Sequence, residues 1–332
     1  MRKSGYMLFL GGLALFTLLI GYHGLADVAA ALAVAGWGLV WVTLFHLVPL
    51  IMNTVAWRRL LRDGNCPSLG VMVWARWIGE SVNGLLPAAQ VGGYLAKARL
   101  IMHRGVPGPV SGASVVVELT VNVVTQIVFT LIGVGLLFYI GDREVVTAVL
   151  IGLGIMAMLV MGFCLAQRLG MFGGFVRVLT RFGSDRDWQS LVGGAVALDD
   201  AIRRIYSNRR SLIVAGLWRL CGWIIGAGEV WLALYFLGVP VSAKDALLLE
   251  SLGQAVRAAA FLIPGAIGVQ EGGFIVLGSL VGLGPEVSLA LSLTKRVREL
   301  LLGIPGLIIW QAAEGRRLWP RKQKAHRKLV IK

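Results

Sequence analysis

The sequence predicts an all-α polytopic membrane protein with about six full spans and two opposed re-entrant helical hairpins that form an inverted repeat. Three observations lead to this fold class. Apolar residues make up 57% of the 332 residues and charged residues only 15%, where soluble domains carry about 25% charged residues. Apolar runs of spanning length recur along the chain, and two further apolar stretches are interrupted by similar motifs of proline and glycine.

Six runs approach or exceed the roughly 20 apolar residues that cross a bilayer as a helix. They cover residues 6–22, 35–57, 114–140, 145–167, 212–237 and 287–310. The first run is longer than the apolar region of a signal peptide, which has about 7–15 residues, so we expect a retained anchor. We expect a single membrane domain over residues 1–313 and a basic cytoplasmic tail over residues 314–332.

The two interrupted stretches are poor candidates for full spans. Residues 69–86 end at Pro87, and residues 246–263 end at Pro264. Each is followed by a glycine-rich turn and a second short helix-forming segment. We therefore predict that each stretch enters the bilayer as half a hairpin and turns back.

The distribution of basic residues supports this topology. Lys and Arg total 32 against 17 Asp and Glu, and cytoplasmic loops carry the basic excess in membrane proteins. With both hairpins re-entrant, 24 of the 32 basic residues, Lys97 among them, share the side of the N-terminus, and only Arg143 and Lys244 lie in external loops. The sequence thus predicts a multi-pass protein of the bacterial cytoplasmic (inner) membrane with both termini cytoplasmic.

The interrupted stretches resemble each other. The first reads NGLLPAAQVGG and the second AFLIPGAIGVQEGG. Glu80 and Arg257 occupy corresponding positions before the prolines, and Glu118 and Arg298 occupy corresponding positions after the paired glycines. Inverted repeats with discontinuous helices are the architecture of many transporters. The alternative is a chance match, because proline and glycine are common in membrane helices.

Ionisable residues within the apolar segments are the candidates for chemistry. A charge at the bilayer centre costs at least about 2.5–3.5 kcal/mol, so such groups are expected to face the protein interior and pair. The basic and acidic members are equal in number: Arg76, Arg219, Arg257, Lys295, Arg296 and Arg298, with Glu80, Glu118, Glu229, Glu250, Glu271 and Glu299. Two pairings are available locally at i,i+4 spacing, Arg76 with Glu80 and Lys295 with Glu299.

Glu118, Asn122 and Gln126 add a polar stripe at helical spacing in an otherwise apolar span. These groups predict a polar cavity around the two prolines. The alternative is a set of buried ion pairs that fixes helix register.

The sequence offers no motif for other chemistry. The three cysteines form no CxxC pair, the four histidines form no HExxH motif, and no Walker A motif is present. We therefore expect no metal site, no cofactor, no ATP hydrolysis by this chain and no catalytic residue. The basic residues are not spread over a water-soluble face, so a nucleic-acid partner is not expected either.

The strings RWIGESVNGLLPAAQVGG, VVVELTVNVVTQ and FLIPGAIGVQEGG carry a resemblance to a known family. The chain resembles, over residues 8–313, the flippase-like transmembrane domain of lysylphosphatidylglycerol synthases, and it is most similar to stand-alone members associated with hopanoid biosynthesis. The resemblance implies lipid translocation between leaflets. By its motifs, the central site would include Glu80, Asn83, Pro87, Gly92, Gly93, Glu118, Pro264, Gly265, Gly268 and Glu271.

To that site the ionisable and polar pattern adds Arg76, Asn122, Arg257, Arg296, Arg298 and Glu299. Only a 22-residue basic tail follows Trp310, so the soluble aminoacyl-transferase domain of the synthases, and lysyl transfer with it, are not expected.

The sequence thus favours a flippase or transporter of an amphipathic membrane lipid, for which a hopanoid, a phospholipid and a polyprenyl-linked sugar are all suitable cargoes. The competing interpretation is an intramembrane enzyme or an accessory subunit of lipid or hopanoid biosynthesis, in which Glu80 or Glu118 would act as general acid or base. Expected partners are the lipid substrate, hopanoid-pathway proteins, and anionic lipid head groups at the C-terminal tail.

Overall fold

The computed structural model describes residues 35–61, 66–86, 92–140, 147, 151, 154, 158, 161–170, 186–259, 266 and 268–330. Helices and turns account for nearly all of these residues, and no strand occurs among them. The helices are α1 (Gly38–Phe45), α2 (Leu47–Leu60), α3 (Leu69–Leu85), α4 (Gly92–Met102), α5 (Gly108–Ile140), α6 (Arg186–Ser207), α7 (Arg209–Phe236), α8 (Ala243–Ala259), α9 (Val269–Leu280) and α10 (Pro285–Val330). The all-α prediction is confirmed for this part of the chain.

Three predicted spans coincide with helices that are long and apolar enough to cross a membrane within the described residues. These are Gly38–Leu60, which combines α1 and α2, Gly108–Phe138 in α5, and Arg209–Phe236 in α7. All three expose large apolar side chains, for example Trp41, Phe138 and Leu217. Such an exterior is suited to contact with lipid rather than water.

The remaining predicted spans differ in how far the structure describes them. The run over 6–22 lies outside the described residues, and of the run over 145–167 mainly the helical residues 161–167 are described. The run over 287–310 is helical within α10, but its charged residues exclude it from the helices that are apolar enough to cross a membrane. The full number of spans therefore stays a prediction.

Local sequence explains where several helices begin and end. Leu86, directly before Pro87, has the extended dihedral angles φ −105° and ψ 144° and ends α3, because proline disfavours helical geometry in the residue that precedes it. The Asn208 side chain caps α7 by accepting a hydrogen bond from the Ser211 N–H at 3.1 Å. Pro285 starts α10, at the helical position where its missing N–H costs nothing.

The two interrupted stretches form helical hairpins. In the first, α3 and α4 run antiparallel, and the Gly93 N–H donates to Asn83 Oδ1 at 2.7 Å. In the second, α8 and α9 run antiparallel, with Arg257 Nη1 3.4 Å from Gln270 Oε1. Whether these hairpins are re-entrant depends on the membrane, so their re-entrant character stays a prediction.

The hairpins are packed reciprocally. α4 packs on α5 and α9 packs on α10, but α3 packs on α10 and α8 packs on α5. Trp77 of α3 donates to the Leu302 carbonyl of α10 at 2.9 Å, and Gln126 of α5 donates to the Gln254 carbonyl of α8 at 3.1 Å. Each hairpin is therefore held by the long helix that follows the other one, as expected for two halves of an internal repeat.

Candidate functional site

A cavity of about 290 Å³ lies where the two hairpins and the long helices meet. Its walls come from α2, α3, α4, α5, α7, α8 and α10, with His46 contributing from the junction of α1 and α2. Of its charged residues, Arg76, Lys97, Arg219, Arg257 and Arg298 are basic and Glu80 and Glu299 are acidic. The interior of this apolar bundle is thus polar and ionised.

On the side of the first hairpin, one carboxylate neutralises two cations. Glu118 Oε1 accepts from Arg76 Nη1 at 2.7 Å, and Glu118 Oε2 accepts from Lys97 Nζ at 2.6 Å. Arg76 also donates from Nε to Glu80 Oε1 at 2.8 Å, as its i,i+4 spacing predicts. Lys97 Nζ lies 4.9 Å from the Trp57 ring centroid, a favourable cation–π position. The carboxylate of α5 therefore ties α3 to α4.

On the side of the second hairpin, Glu229 of α7 is the central carboxylate. Its Oε2 lies 2.8 Å from His46 Nδ1, and its Oε1 lies 3.1 Å from Arg298 Nε. Glu299 accepts from Arg257 Nη1 at 2.5 Å and lies 3.7 Å from Arg298 Nη2. These contacts join α7, α8 and α10 around the cavity.

His46 connects the two networks. Its Nε2 lies 3.7 Å from Glu80 Oε2 of the first hairpin. Its ring nitrogens also lie 2.7 and 3.0 Å from Arg298 Nη1. A continuous chain of charged and hydrogen-bonding groups thus runs from Arg76 through Glu80 and His46 to Arg298.

Arg219 is held differently from the other cations of the cavity. Its Nε donates to Asn122 Oδ1 at 2.7 Å, and its Nη2 donates to the same oxygen. The guanidinium carbon lies 4.9 Å from the Trp223 ring centroid, and Trp223 stacks on Phe129. Within the described residues, no carboxylate oxygen lies within 4.0 Å of Arg219.

The geometry can be compared with known proteins. The family described as the lysylphosphatidylglycerol synthase TM region matches residues 9–306, which is most of the chain. The chain belongs to this family. In the other two comparisons, no curated protein and no solved structure matches the chain. Membership confirms the suspected family and fits a membrane protein associated with lipid handling, whereas the hopanoid association stays a prediction.

Within this family member, the structure brings many of the predicted site residues together. The predicted residues that line the cavity are Arg76, Glu80, Asn83, Asn122, Arg257, Arg298 and Glu299. Glu118 lies directly behind Arg76, and Gly92 and Gly93 begin the second helix of the first hairpin. Pro87, Pro264 and Gly265 lie outside the described residues.

Three predicted residues form a separate group. Glu271 accepts from Arg296 Nε at 2.6 Å and from the Gly268 N–H at 2.7 Å. None of the three is among the residues that line the cavity. Gly268 has a φ of +79°, which glycine adopts readily, and this turn places its N–H toward the carboxylate that caps α9. Their position indicates a role in shaping the second hairpin.

Two charged residues have partners that the sequence alone did not identify. Lys97, counted among the cytoplasmic cations, is 5% exposed and bound to Glu118, because the antiparallel hairpin turns that side of α4 toward α5. Lys295 pairs with Glu250 of α8 rather than with its i,i+4 neighbour Glu299, which binds Arg257. A charged residue therefore pairs across a helix interface, rather than with a neighbour on its own helix, when packing brings the partner on the other helix closer.

Other cavity residues were not selected from the sequence. His46, Asn53 and Tyr94 all line the cavity. His46 and Asn53 lie inside the apolar run over 35–57, so a polar residue in a predicted span was the available signal. Tyr94 had no such signal, because its position depends on how α4 folds back on α3.

Proposed function

We propose that this protein moves an amphipathic lipid between the leaflets of the bacterial cytoplasmic membrane, with both termini cytoplasmic and both hairpins re-entrant. A hopanoid-related lipid is one candidate cargo, and in that case proteins of hopanoid biosynthesis would be its partners. Family membership supports the lipid-handling part of this proposal. The transport part rests on the charged cavity between the two hairpins.

The contrast between the cavity and the exterior is the observation that carries the proposal. Large apolar side chains cover the outside of the bundle, whereas the cavity presents seven charged residues and several amides. A lipid has the same division into an apolar tail and a polar head group. Fixed charges and amide dipoles in the cavity would replace the hydration of the head group, while the tail stays against the apolar exterior.

The reciprocal packing gives the cavity two boundaries that belong to different halves of the protein. α3 and α4 close one side and α8 closes the other. Alternating access in transporters with inverted repeats uses relative motion of the two halves about a fixed central site. Such motion would exchange contact partners among Glu80, His46 and Arg298. The His46–Glu80 contact, at 3.7 Å, is longer than the contacts that His46 makes with Glu229 and Arg298.

The competing function is an intramembrane enzyme or an accessory subunit of lipid modification. Such an enzyme would need a carboxyl group able to exchange a proton with the substrate. Glu118 is instead bound by both Arg76 and Lys97, and Glu80 is bound by Arg76, so both candidate carboxylates are held in charge-assisted contacts. This arrangement favours a binding site over an acid–base centre.

A liposome assay tests the proposal. Purified protein would be reconstituted with fluorescent analogues of a phospholipid, a hopanoid and a polyprenyl-linked sugar, each scored for leaflet exchange and for chemical change. We expect exchange of at least one unmodified lipid, slowed by Glu80→Gln and Arg257→Gln but not by Glu286→Gln, which alters an exposed residue. A modified lipid product would support the enzyme instead, and no exchange of any analogue would refute transport.

A further inference from the structure

The charges around the cavity do not balance. Five basic residues line it, and in the described part of the chain four of them lie within 4.0 Å of a carboxylate of Glu80, Glu118, Glu229 or Glu299. Arg219 is the cavity cation that none of these carboxylates reaches. An unbalanced charge inside an apolar bundle is costly, so the position calls for a compensating anion.

Unpartnered polar atoms lie at the same place. Arg219 Nη1, Trp223 Nε1 and Asn53 Oδ1 are buried and have no hydrogen-bond partner, and all three residues line the cavity. Two of these atoms are donors on neighbouring turns of α7. A buried donor without a partner is unfavourable, and a ligand that accepts from both donors would remove this cost.

The surrounding contacts hold both donors in place. Asn122 Oδ1 binds Nε and Nη2 of Arg219, which leaves Nη1 for another acceptor. The Trp223 ring contacts both the Arg219 guanidinium and the Phe129 ring. Asn53 packs against α7 at Gly222, where any side chain would meet its amide oxygen. The site is therefore preorganised before a ligand arrives.

We propose that Arg219 and Trp223 form a subsite for the anionic oxygen group of a lipid, a phosphate ester or a carboxylate, with Arg219 Nη1 and Trp223 Nε1 as its two donors. Asn53 Oδ1 would accept a hydrogen bond from a hydroxyl group of the same head group. This inference rests on the proposed function and specifies the head group that the cavity takes. We therefore expect neutral lipids to bind to the cavity more weakly than anionic lipids, because neutral lipids leave the charge of Arg219 uncompensated.

Binding can be measured in detergent with short-chain probes. Dioctanoyl phosphatidic acid, dioctanoylglycerol and inorganic phosphate would be titrated into the purified full-length protein. We expect the phosphatidic acid to bind, and dioctanoylglycerol and inorganic phosphate to bind at least about tenfold more weakly. Equal binding of dioctanoylglycerol would overturn the anion subsite, and equal binding of inorganic phosphate would overturn its assignment to a lipid.

Variants locate the subsite. Trp223→Phe removes the indole N–H and keeps the aromatic stack, and Arg219→Gln removes the charge; each should weaken phosphatidic acid binding about tenfold. Arg219→Lys should weaken it less. The matched controls Trp218→Phe and Arg210→Gln change exposed positions of the same helix and should bind like the wild type. Thermal unfolding of each sample verifies that the variants are folded.

The outcomes separate this inference from the proposed function. A protein that binds phosphatidic acid through Arg219 but exchanges no lipid in liposomes refutes transport and leaves the subsite standing. A protein that exchanges lipids, but whose folded Arg219→Gln and Trp223→Phe variants bind like the wild type, refutes the subsite and leaves transport standing.

Discussion

Arg76 of α3 donates a 2.7 Å hydrogen bond to Glu118 of α5, across 42 residues of sequence. The same carboxylate also accepts from Lys97 of α4. The Arg76 and Lys97 side chains are each 6% exposed and that of Glu118 is 8% exposed. One acid thus holds both helices of the first hairpin against a membrane-spanning helix, and the stability of this region should depend on it.

The first prediction concerns that carboxylate. Glu118→Gln leaves two buried cations without their shared counter-charge, and removal of one partner from a buried ion pair costs about 3–5 kcal/mol. We expect a lower thermal unfolding temperature in detergent for Glu118→Gln than for the wild type. Glu286→Gln, the same change at an exposed position, should have little effect. Equal unfolding temperatures for the two variants would contradict the structural role of Glu118.

The second prediction concerns the close approach of the two helices of the first hairpin. A Cβ atom at Gly93 would overlap the Gly79 carbonyl oxygen and the Asn83 side chain. Gly93→Ala should therefore force α3 and α4 apart and destabilise the protein by about 1–3 kcal/mol. Gly135→Ala is the control, because nothing lies within 4 Å of a Cβ atom there. The comparison again uses thermal unfolding, and a Gly93→Ala variant as stable as the control would be evidence against the described packing.

The sequence was sufficient to predict that most of the membrane-embedded charges would pair, but not which partners they would have. The stripe of Glu118, Asn122 and Gln126 could be predicted because a helix places residues four apart on one face. Each member does bind inward, to Arg76, Arg219 and the α8 backbone respectively. The stripe is local, so helical geometry alone determines it.

The partners themselves depend on tertiary packing. Lys97 lies in a segment that the sequence predicts as a basic helix on the cytoplasmic side, and only the antiparallel fold of α4 on α3 turns it toward Glu118. In the same way, nothing in the sequence distinguishes Arg219 from the other membrane arginines. Its lack of a carboxylate neighbour within the described residues follows from the positions of α2, α5 and α7, which bring amide and indole groups to it instead.

The third prediction tests such a long-range partner. Glu250 and Lys295, 45 residues apart, form a buried ion pair between α8 and α10. Lys295→Met and Glu250→Gln should each destabilise the protein by about 3 kcal/mol, and the double variant should lose much less than the sum. Lys295→Met combined with Glu299→Gln serves as the control and should be closer to additive, because Glu299 binds Arg257. The reverse result, additivity with Glu250 and coupling with Glu299, would favour the local i,i+4 pair.

The fourth prediction concerns topology. In a variant without the native cysteines, Arg203→Cys in α6 should react with a membrane-impermeant maleimide in inverted vesicles but not in intact cells. The reason is that the arginine-rich segment over 168–210 belongs on the cytoplasmic side. Lys244→Cys, in the first turn of α8, should show the opposite pattern. Both positions are exposed, so access depends on the side of the membrane alone. Labelling of Arg203→Cys from outside would refute the assigned orientation.

The last prediction concerns the basic tail. Residues 316–332 hold eight Lys or Arg and no acidic residue, and the helix α10 continues to Val330. Clusters of 4–8 basic residues next to a membrane helix bind anionic lipid head groups with about 1 kcal/mol per residue, an attraction that salt screens. A synthetic peptide of residues 315–332 should therefore bind vesicles that contain phosphatidylserine and dissociate at high salt, with neutral phosphatidylcholine vesicles as the control. Truncation after Gly315 should leave the protein inserted and phosphatidic acid binding at Arg219 unchanged, since that subsite is built from α2, α5 and α7. If the peptide binds neutral vesicles equally well, or stays bound at high salt, then the tail acts only through the positive-inside effect or through its apolar residues, and it is not an electrostatic anchor.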